Sequence, residues 1–324
     1  MKIAVYGASG HTARFIIGEL LRRGHAPIAI TRGIASLDDA DALDHALDGA
    51  DAVINCAGPF IDSAAPLIEA ALRTRVHYFD VTAEQESARL TFERFDAPAR
   101  ERGMLIVPAT GFYGGFGDLV ATLAMADWAQ ADRIDIGIAL SSWWPTRGTR
   151  RTGERNTVPR RTFSGGRLTP MQPSTPSSWS FPQPFGTQDV VELPFTETIL
   201  AARHLHARDI HNYLNTVPLR DIRDPNTPEP VAADERGRSN QRFVIDVRVH
   251  KGDEERRVSA EGGDIYAITA PIIVEAIERV CAGPYVRSGA FALGELVDAS
   301  AFLQALVDAG EIVLTNDRQT MVPH

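Results

Sequence analysis

The segment Gly7-Ala8-Ser9-Gly10-His11-Thr12-Ala13 has small residues at the spacing G-x-x-G-x-x-A, which suits phosphate binding by main chain. Gly7 permits a tight turn, Gly10 lets backbone approach a pyrophosphate, and Ala13 is small enough for a helix to pack closely on a strand. Free N–H groups at the helix start would then face the phosphates. Ser9 takes the place of the middle glycine in the better-known G-x-G-x-x-G pattern, so the surroundings must decide. Before the turn, Lys2 to Tyr6 reads as a buried first strand. After it, Ala13, Ile16, Ile17, Leu20 and Leu21 recur at helical spacing up to Gly24. Strand, glycine turn and helix together predict a dinucleotide site.

The second strand, Pro27 to Thr31, ends in Arg32, where a site for NAD would offer Asp or Glu to the ribose 2′-hydroxyl. A guanidinium suits a 2′-phosphate instead, so the predicted cofactor is NADP(H), preferred over NAD(H). Ala52 to Ala57 reads as the next buried strand and delivers Gly58-Pro59-Phe60 at its carboxyl end, the edge where ligands bind in open α/β sheets. The cofactor is therefore expected against Gly7, Ser9, Gly10, His11, Thr12 and Ala13, against Thr31 and Arg32, and against Cys56, Ala57, Gly58, Pro59, Phe60 and Thr82.

Elements that would hold these residues alternate through the first 110 residues: helices at 64–73 and 86–102, strands at 76–81 and 104–108. The acidic stretch 33–48 has room for a short helix. A third strand there would be vestigial at 34–36, or the half-fold is trimmed. The predicted class is α/β: a Rossmann-type doubly wound parallel sheet over 1–130, then an α+β substrate or dimerisation domain over 131–324, with 265–324 able to pack back on the first. Asp118 reads as the N-cap of a helix over 119–129. The second domain is expected to contain strands at 133–142 and 190–195, a helix at 197–208, a hairpin of 241–250 with 255–260, a buried helix at 265–281, and a closing helix and strand at 299–309 and 312–315.

Composition narrows the class further. A net charge of −9 over 324 residues speaks against generic nucleic-acid binding. Cys56 and Cys281 are the only cysteines and lack C-x-x-C spacing, so neither a disulfide framework nor structural zinc is indicated. His204, His206 and His211 invite a metal reading, but no cysteine or matched carboxylate accompanies them and residues two apart do not share a helix face. No apolar run reaches the ~20 residues of a spanning helix, which points to a cytoplasmic protein without a membrane span.

Residues 143–188 read as irregular, opening with Trp143-Trp144-Pro145 and Arg147, Arg150, Arg151, Arg155, Arg160 and Arg161. One reading is an arginine- and tryptophan-lined lid that recruits a carboxylate, a CoA thioester or an acidic carrier protein; the other is a solvated loop.

Three motifs in one order, Gly7 to Arg14, Val53-Ile54-Asn55-Cys56-Ala57-Gly58-Pro59-Phe60 and His77-Tyr78-Phe79-Asp80-Val81-Thr82, resemble the NADP-binding domain of the saccharopine dehydrogenase (saccharopine reductase)-like family, which includes the trans-acting enoyl reductases. Gly111 to Leu119 resembles the family's G-F-D-x-x-P-x-D-L segment, with Tyr113 in place of its first Asp and Phe116 in place of its Pro. The resemblance implies an NADPH-dependent reductase transferring hydride to a C=N or C=C bond of a small or carrier-bound acid, and a homodimer. A Tyr-x-x-x-Lys pair is excluded, because the only lysines are Lys2 and Lys251. Thr82, Tyr113 and Cys56 are the catalytic candidates, although reduction of an imine or activated enoyl can take its proton from water. Two other classes stay open: a non-catalytic NADP(H)-sensing regulator, and a binding protein with an empty fold.

Overall fold

Strands β1 (Lys2–Tyr6), β2 (Ala26–Ile30), β3 (Ala52–Asn55), β4 (His77–Asp80) and β5 (Leu105–Val107) alternate with helices α1 (His11–Arg22), α2 (Ala40–Leu47), α3 (Phe60–Thr74) and α4 (Gln85–Arg102). The computed structural model describes residues 1–173, 175–281, 287–316 and 319–321. Ile3, Ala4 and Val5 are fully buried because helices cover both faces of the sheet that β1 runs through. No strand lies between β2 and α2. The amides of Ile34 and Ala35 both turn back onto the Thr31 carbonyl, so the half-fold is trimmed and β2 is an edge strand.

Beyond β5 the chain passes through a π-turn (Phe112–Phe116) and α5 (Gly117–Met125) into a second sheet. Its elements are β6 (Ala131–Leu140), α6 (Arg147–Arg155), β7 (Arg161–Ser164), β8 (Arg167–Pro170), β9 (Ser177–Ser180), β10 (Thr187–Glu192), α7 (Thr196–His204), β11 (Ala207–Asn215), α8 (Thr216–Arg223), β12 (Arg242–Lys251) and β13 (Glu254–Gly263). Then α9 (Thr269–Cys281) packs against α1, and β14 (Gly289–Ala290) pairs with β5, completing a six-stranded parallel sheet in the order β14-β5-β4-β3-β1-β2. The last elements, α10 (Ala299–Asp308), β15 (Ile312–Asn316) and β16 (Gln319–Met321), return to the second sheet, whose main path is β16-β15-β13-β12-β6-β11-β10-β9.

Phe243, Ile245, Val247 and Val249 of β12 are all fully buried on one core, and β12 and β13 form the expected hairpin. Three expectations need correction. Residues 143–188 hold a helix and three strands, α6 and β7 to β9, around Ser174, which lies outside the described residues. The helix expected over 197–208 stops at His204, and Ala207–Asn215 is instead a central strand parallel to β6. Its inward positions include Asn212, buried on a hydrogen bond from the Thr198 hydroxyl, and this polar residue breaks the alternation that marks a strand in sequence.

Asp118 is likewise not an N-cap. Helix α5 begins at Gly117, and the fully buried Asp118 carboxylate spans elsewhere: one oxygen meets His204 Nε2 at 2.8 Å, the other accepts the Gly294 amide at 2.8 Å. Burial pulls the His204 imidazole down in pKa, and the Asp118 charge and hydrogen bond outweigh it and raise it. Asp118→Ala is thus expected to cost about 3–5 kcal/mol in urea unfolding, the penalty of orphaning a buried partner. A loss near ~1 kcal/mol, typical of a cap, would return the capping interpretation.

Candidate functional site

Sheet order reverses between β1 and β3, and the glycine turn sits at the carboxyl end of that switch point. Gly7 has φ +82°, and a Cβ there would stand 3.0 Å from both N and Cβ of Ala57, so the turn and the loop after β3 meet backbone to backbone. Gly10 is equally tight: a Cβ would lie 3.0 Å from the Gly7 carbonyl. Helix α1 has no acidic residue in its first turn. Among the described residues nothing accepts the amides of His11, Thr12 and Ala13, since the first intrahelical bond is Arg14 N–H to the Gly10 carbonyl. These free donors with a partial positive charge fit a phosphate group.

The neighbouring loops are held by the polar residues of the two quoted motifs. Asn55 Oδ1 accepts the Ala57 amide at 3.0 Å, and its Nδ2 donates to Ser63 and Tyr78. The buried Asp80 carboxylate accepts the amides of Thr82 and Ala109 and the Tyr78 hydroxyl, tying β3, β4 and the exit of β5 together. Burial raises its pKa to about 6, against the lowering pull of those three donors. Glu84 caps α3 from outside, accepting Phe60 N–H at 2.7 Å and Ile61 N–H at 3.0 Å. That helix start is therefore already occupied by a carboxylate, whereas the start of α1 has free amides.

A cleft of about 640 Å³ opens between these loops and the second sheet. Ser9, Gly10, His11, Thr12, Cys56, Gly58 and Phe60 line it from one side, with Tyr113 and Thr269 at the crossover. Gly7, Ala13, Ala57, Pro59 and Thr82 are not among the residues that line it, nor are Thr31 and Arg32, which follow β2, where Arg32 is exposed. Thr82 is fully buried, its hydroxyl accepting the Glu84 amide at 3.0 Å. Burial pushes the Cys56 thiol and the Tyr113 phenol up, so both keep their protons at neutral pH.

Helix α6 closes the far side. Its Thr152 abuts Gly58, where a Cβ would lie 2.6 Å from the Thr152 hydroxyl, and Arg155 pairs with Asp62 of α3 at 2.9 Å. Tyr266 anchors the helix: its hydroxyl meets Trp143 Nε1 at 3.0 Å and Thr149 Oγ1 at 2.9 Å, while its ring stands edge-on to His11 at 5.3 Å. Burial holds His11 below the ordinary histidine pKa. Tyr266 and Glu197 escaped the sequence reading. Glu197 is fully buried under the π-turn, accepts the Gly114 amide, and is raised to about 7 by burial. The available signal was a single acid within Phe195 to Ala202, whose other residues are apolar or threonine. The three histidines separate, His204 going to Asp118 and His211 to Glu192, and no group of three metal-binding side chains occurs among the described residues.

Residues 30–105 match the sequence profile of the saccharopine dehydrogenase NADP binding domain. A saccharopine dehydrogenase-like oxidoreductase of Bos taurus is 23% identical over a stretch covering 34% of this chain and 34% of that protein. The chain thus spans about a third of the length of the curated relatives it matches. In three dimensions, saccharopine dehydrogenase (L-Glu forming) of Saccharomyces cerevisiae superimposes with a TM-score of 0.65 at 13% identity, covering 97% of this chain and 99% of that one. The C. glutamicum DAP dehydrogenase follows at 0.51 and 13% identity, covering 95% and 98%. Those two likenesses are of fold. The chain is thus similar in sequence to the saccharopine dehydrogenase NADP binding domain over residues 30–105, and similar in fold to saccharopine dehydrogenase over nearly its whole length.

Proposed function

We propose that the protein is an NADPH-dependent oxidoreductase that delivers hydride to a C=N or C=C bond of a small or carrier-bound acid. One observation supports this above the rest: the free amides of α1 open onto the same cleft that the second sheet and α6 wall off, so a phosphate-facing turn and a ligand cavity are continuous. Bound there, the dinucleotide would supply the hydride. His11, Thr12 and Ala13 would hold its pyrophosphate by main chain, Arg32 its 2′-phosphate, and Cys56 to Phe60 would flank the reactive end. Trp143, Tyr113, Phe195 and α6 would exclude water and orient the acceptor. Thr82 acts through the Glu84 amide, with no direct part. The protein is cytoplasmic in this reading, and its ten-stranded sheet forms the homodimer contact; among the described residues no helix is long and apolar enough to cross a membrane.

Consumption of NADPH in the presence of imine or enoyl-thioester acceptors tests the reading. Acceptor-dependent oxidation is expected. Cofactor-dependent capture of a partner protein with no turnover would favour the NADP(H)-sensing regulator instead.

A further inference from the structure

Three arginines line the cleft among the described residues, and they are not equivalent. Arg14 donates to His11 Nδ1 at 3.0 Å, and Arg147 pairs with Glu229 at 3.0 Å on the surface. Arg160 has no carboxylate within ion-pair distance among the described residues. Its one hydrogen bond runs from Nη1 to the Pro194 carbonyl at 2.6 Å, leaving the rest of the fork unused. The guanidinium lies 4.7 Å from the centroid of the Phe195 ring, which stacks on Tyr113 at 4.2 Å. This aromatic floor strips water from the cation, and burial accordingly lowers its pKa.

Beside it stand two more polar atoms without partners among the described residues. The Tyr113 hydroxyl is buried with no hydrogen bond, although Tyr113 lines the cleft and is only 8% exposed. Glu197 Oε2 is buried and unpaired as well, while its Oε1 accepts the Gly114 amide. Orphaned polar groups of this kind cost stability unless a ligand completes them. Arg160 and Tyr113 have donors to spare, and the raised Glu197 carries a proton for part of the time at neutral pH. A single cation with the neutral Tyr113 hydroxyl beside it suits a planar monoanion, which a forked guanidinium binds with two parallel bonds.

We propose that Arg160 and Tyr113 form a recess in the floor of the cleft that binds the carboxylate of the ligand, with Glu197 buried outside the cleft lining. The inference rests on the proposed function only in assigning that carboxylate to the acceptor substrate. Arg160 is the specificity residue, and Tyr113 adds one hydrogen bond. Two arginines of α6 hold the helix: Arg150 donates to the carbonyls of Ile222, Asp224 and Thr227, and Arg155 reaches Asp62.

The test titrates butyrate against its neutral isostere butyramide, followed by tryptophan fluorescence, since Trp143 lies 5.5 Å from Tyr113. Wild type is expected to favour butyrate by about tenfold, a charge-assisted pair against a neutral one. Arg160→Gln should remove the preference and Tyr113→Phe should reduce it about threefold. Arg147→Gln should keep it. Equal or absent binding of the two probes by wild type, or a preference that survives Arg160→Gln, overturns the proposal. NADPH titration of the same proteins reads the cofactor assignment separately: loss of NADPH binding in wild type would sink that assignment and leave the carboxylate comparison intact.

Discussion

Gly114→Ala is expected to destabilise the protein by about 2–6 kcal/mol, adding ~1–3 kcal/mol of backbone strain to ~1–3 kcal/mol of overpacking. Gly114 sits at φ +111° and ψ −99°, a conformation that side-chain-bearing residues avoid. A Cβ there would lie 2.6 Å from the Ala109 carbonyl oxygen and 2.8 Å from the Ala109 Cβ. Ala109 cannot yield, because its amide is held by Asp80 at 2.7 Å and its carbonyl accepts Gly115 N–H at 2.7 Å. The same substitution at Gly18, exposed in α1 with nothing within 4 Å, should stabilise by about 0.5–1 kcal/mol through helix propensity. Urea unfolding of both variants checks this. Equal midpoints for Gly114→Ala and wild type would contradict the packing of the π-turn.

Glu197→Gln is expected to flatten the pH dependence of stability. In the folded protein this carboxyl has a pKa of about 7 instead of 4.5, chiefly because burial penalises its charge. Between those values the folded state keeps a proton that the unfolded chain has lost, so stability falls as pH rises across the window. The full effect is about 3 kcal/mol, at 1.36 kcal/mol per unit. Asp80, raised from 3.8 to about 6, slopes the same way in an overlapping range, but it is present in both proteins and drops out of the difference. Wild type should therefore lose about 3 kcal/mol relative to Glu197→Gln between pH 4.5 and pH 8. Parallel profiles would show that Glu197 is ionised or solvated in the fold.

Much of the first sheet is legible in sequence, because apolar runs such as Ile3 to Val5 and Val53 to Ile54 lie between glycine turns and amphipathic helices. Strand β11 is not, because Asn212 is buried there, its Oδ1 accepting the Thr198 hydroxyl of α7. The motif residues Asn55 and Asp80 could be quoted but not assigned, since they act on amides of loops that only the sheet brings near, Ala109 lying 29 residues from Asp80. Arg160 could not be singled out among six arginines. What sets it apart is its place in the cleft lining, over the Phe195 ring, which only the tertiary packing reveals. Glu197 shows the same limit: a carboxylate in an apolar helix reads as an exposed position until Gly117 is seen to make room for it, a Cβ there falling 2.5 Å from Glu197 Cγ.

Dinucleotide binding at the glycine turn is the claim on which the rest depends. The direct measurement is calorimetric titration of wild type and Arg32→Ala with NADPH and with NADH. Wild type is expected to bind NADPH at least ~10-fold more tightly, a difference of ~1.4 kcal/mol, and Arg32→Ala to bring the two affinities together. If wild type binds neither dinucleotide, the free amides of His11, Thr12 and Ala13 serve no phosphate, and the oxidoreductase reading is contradicted.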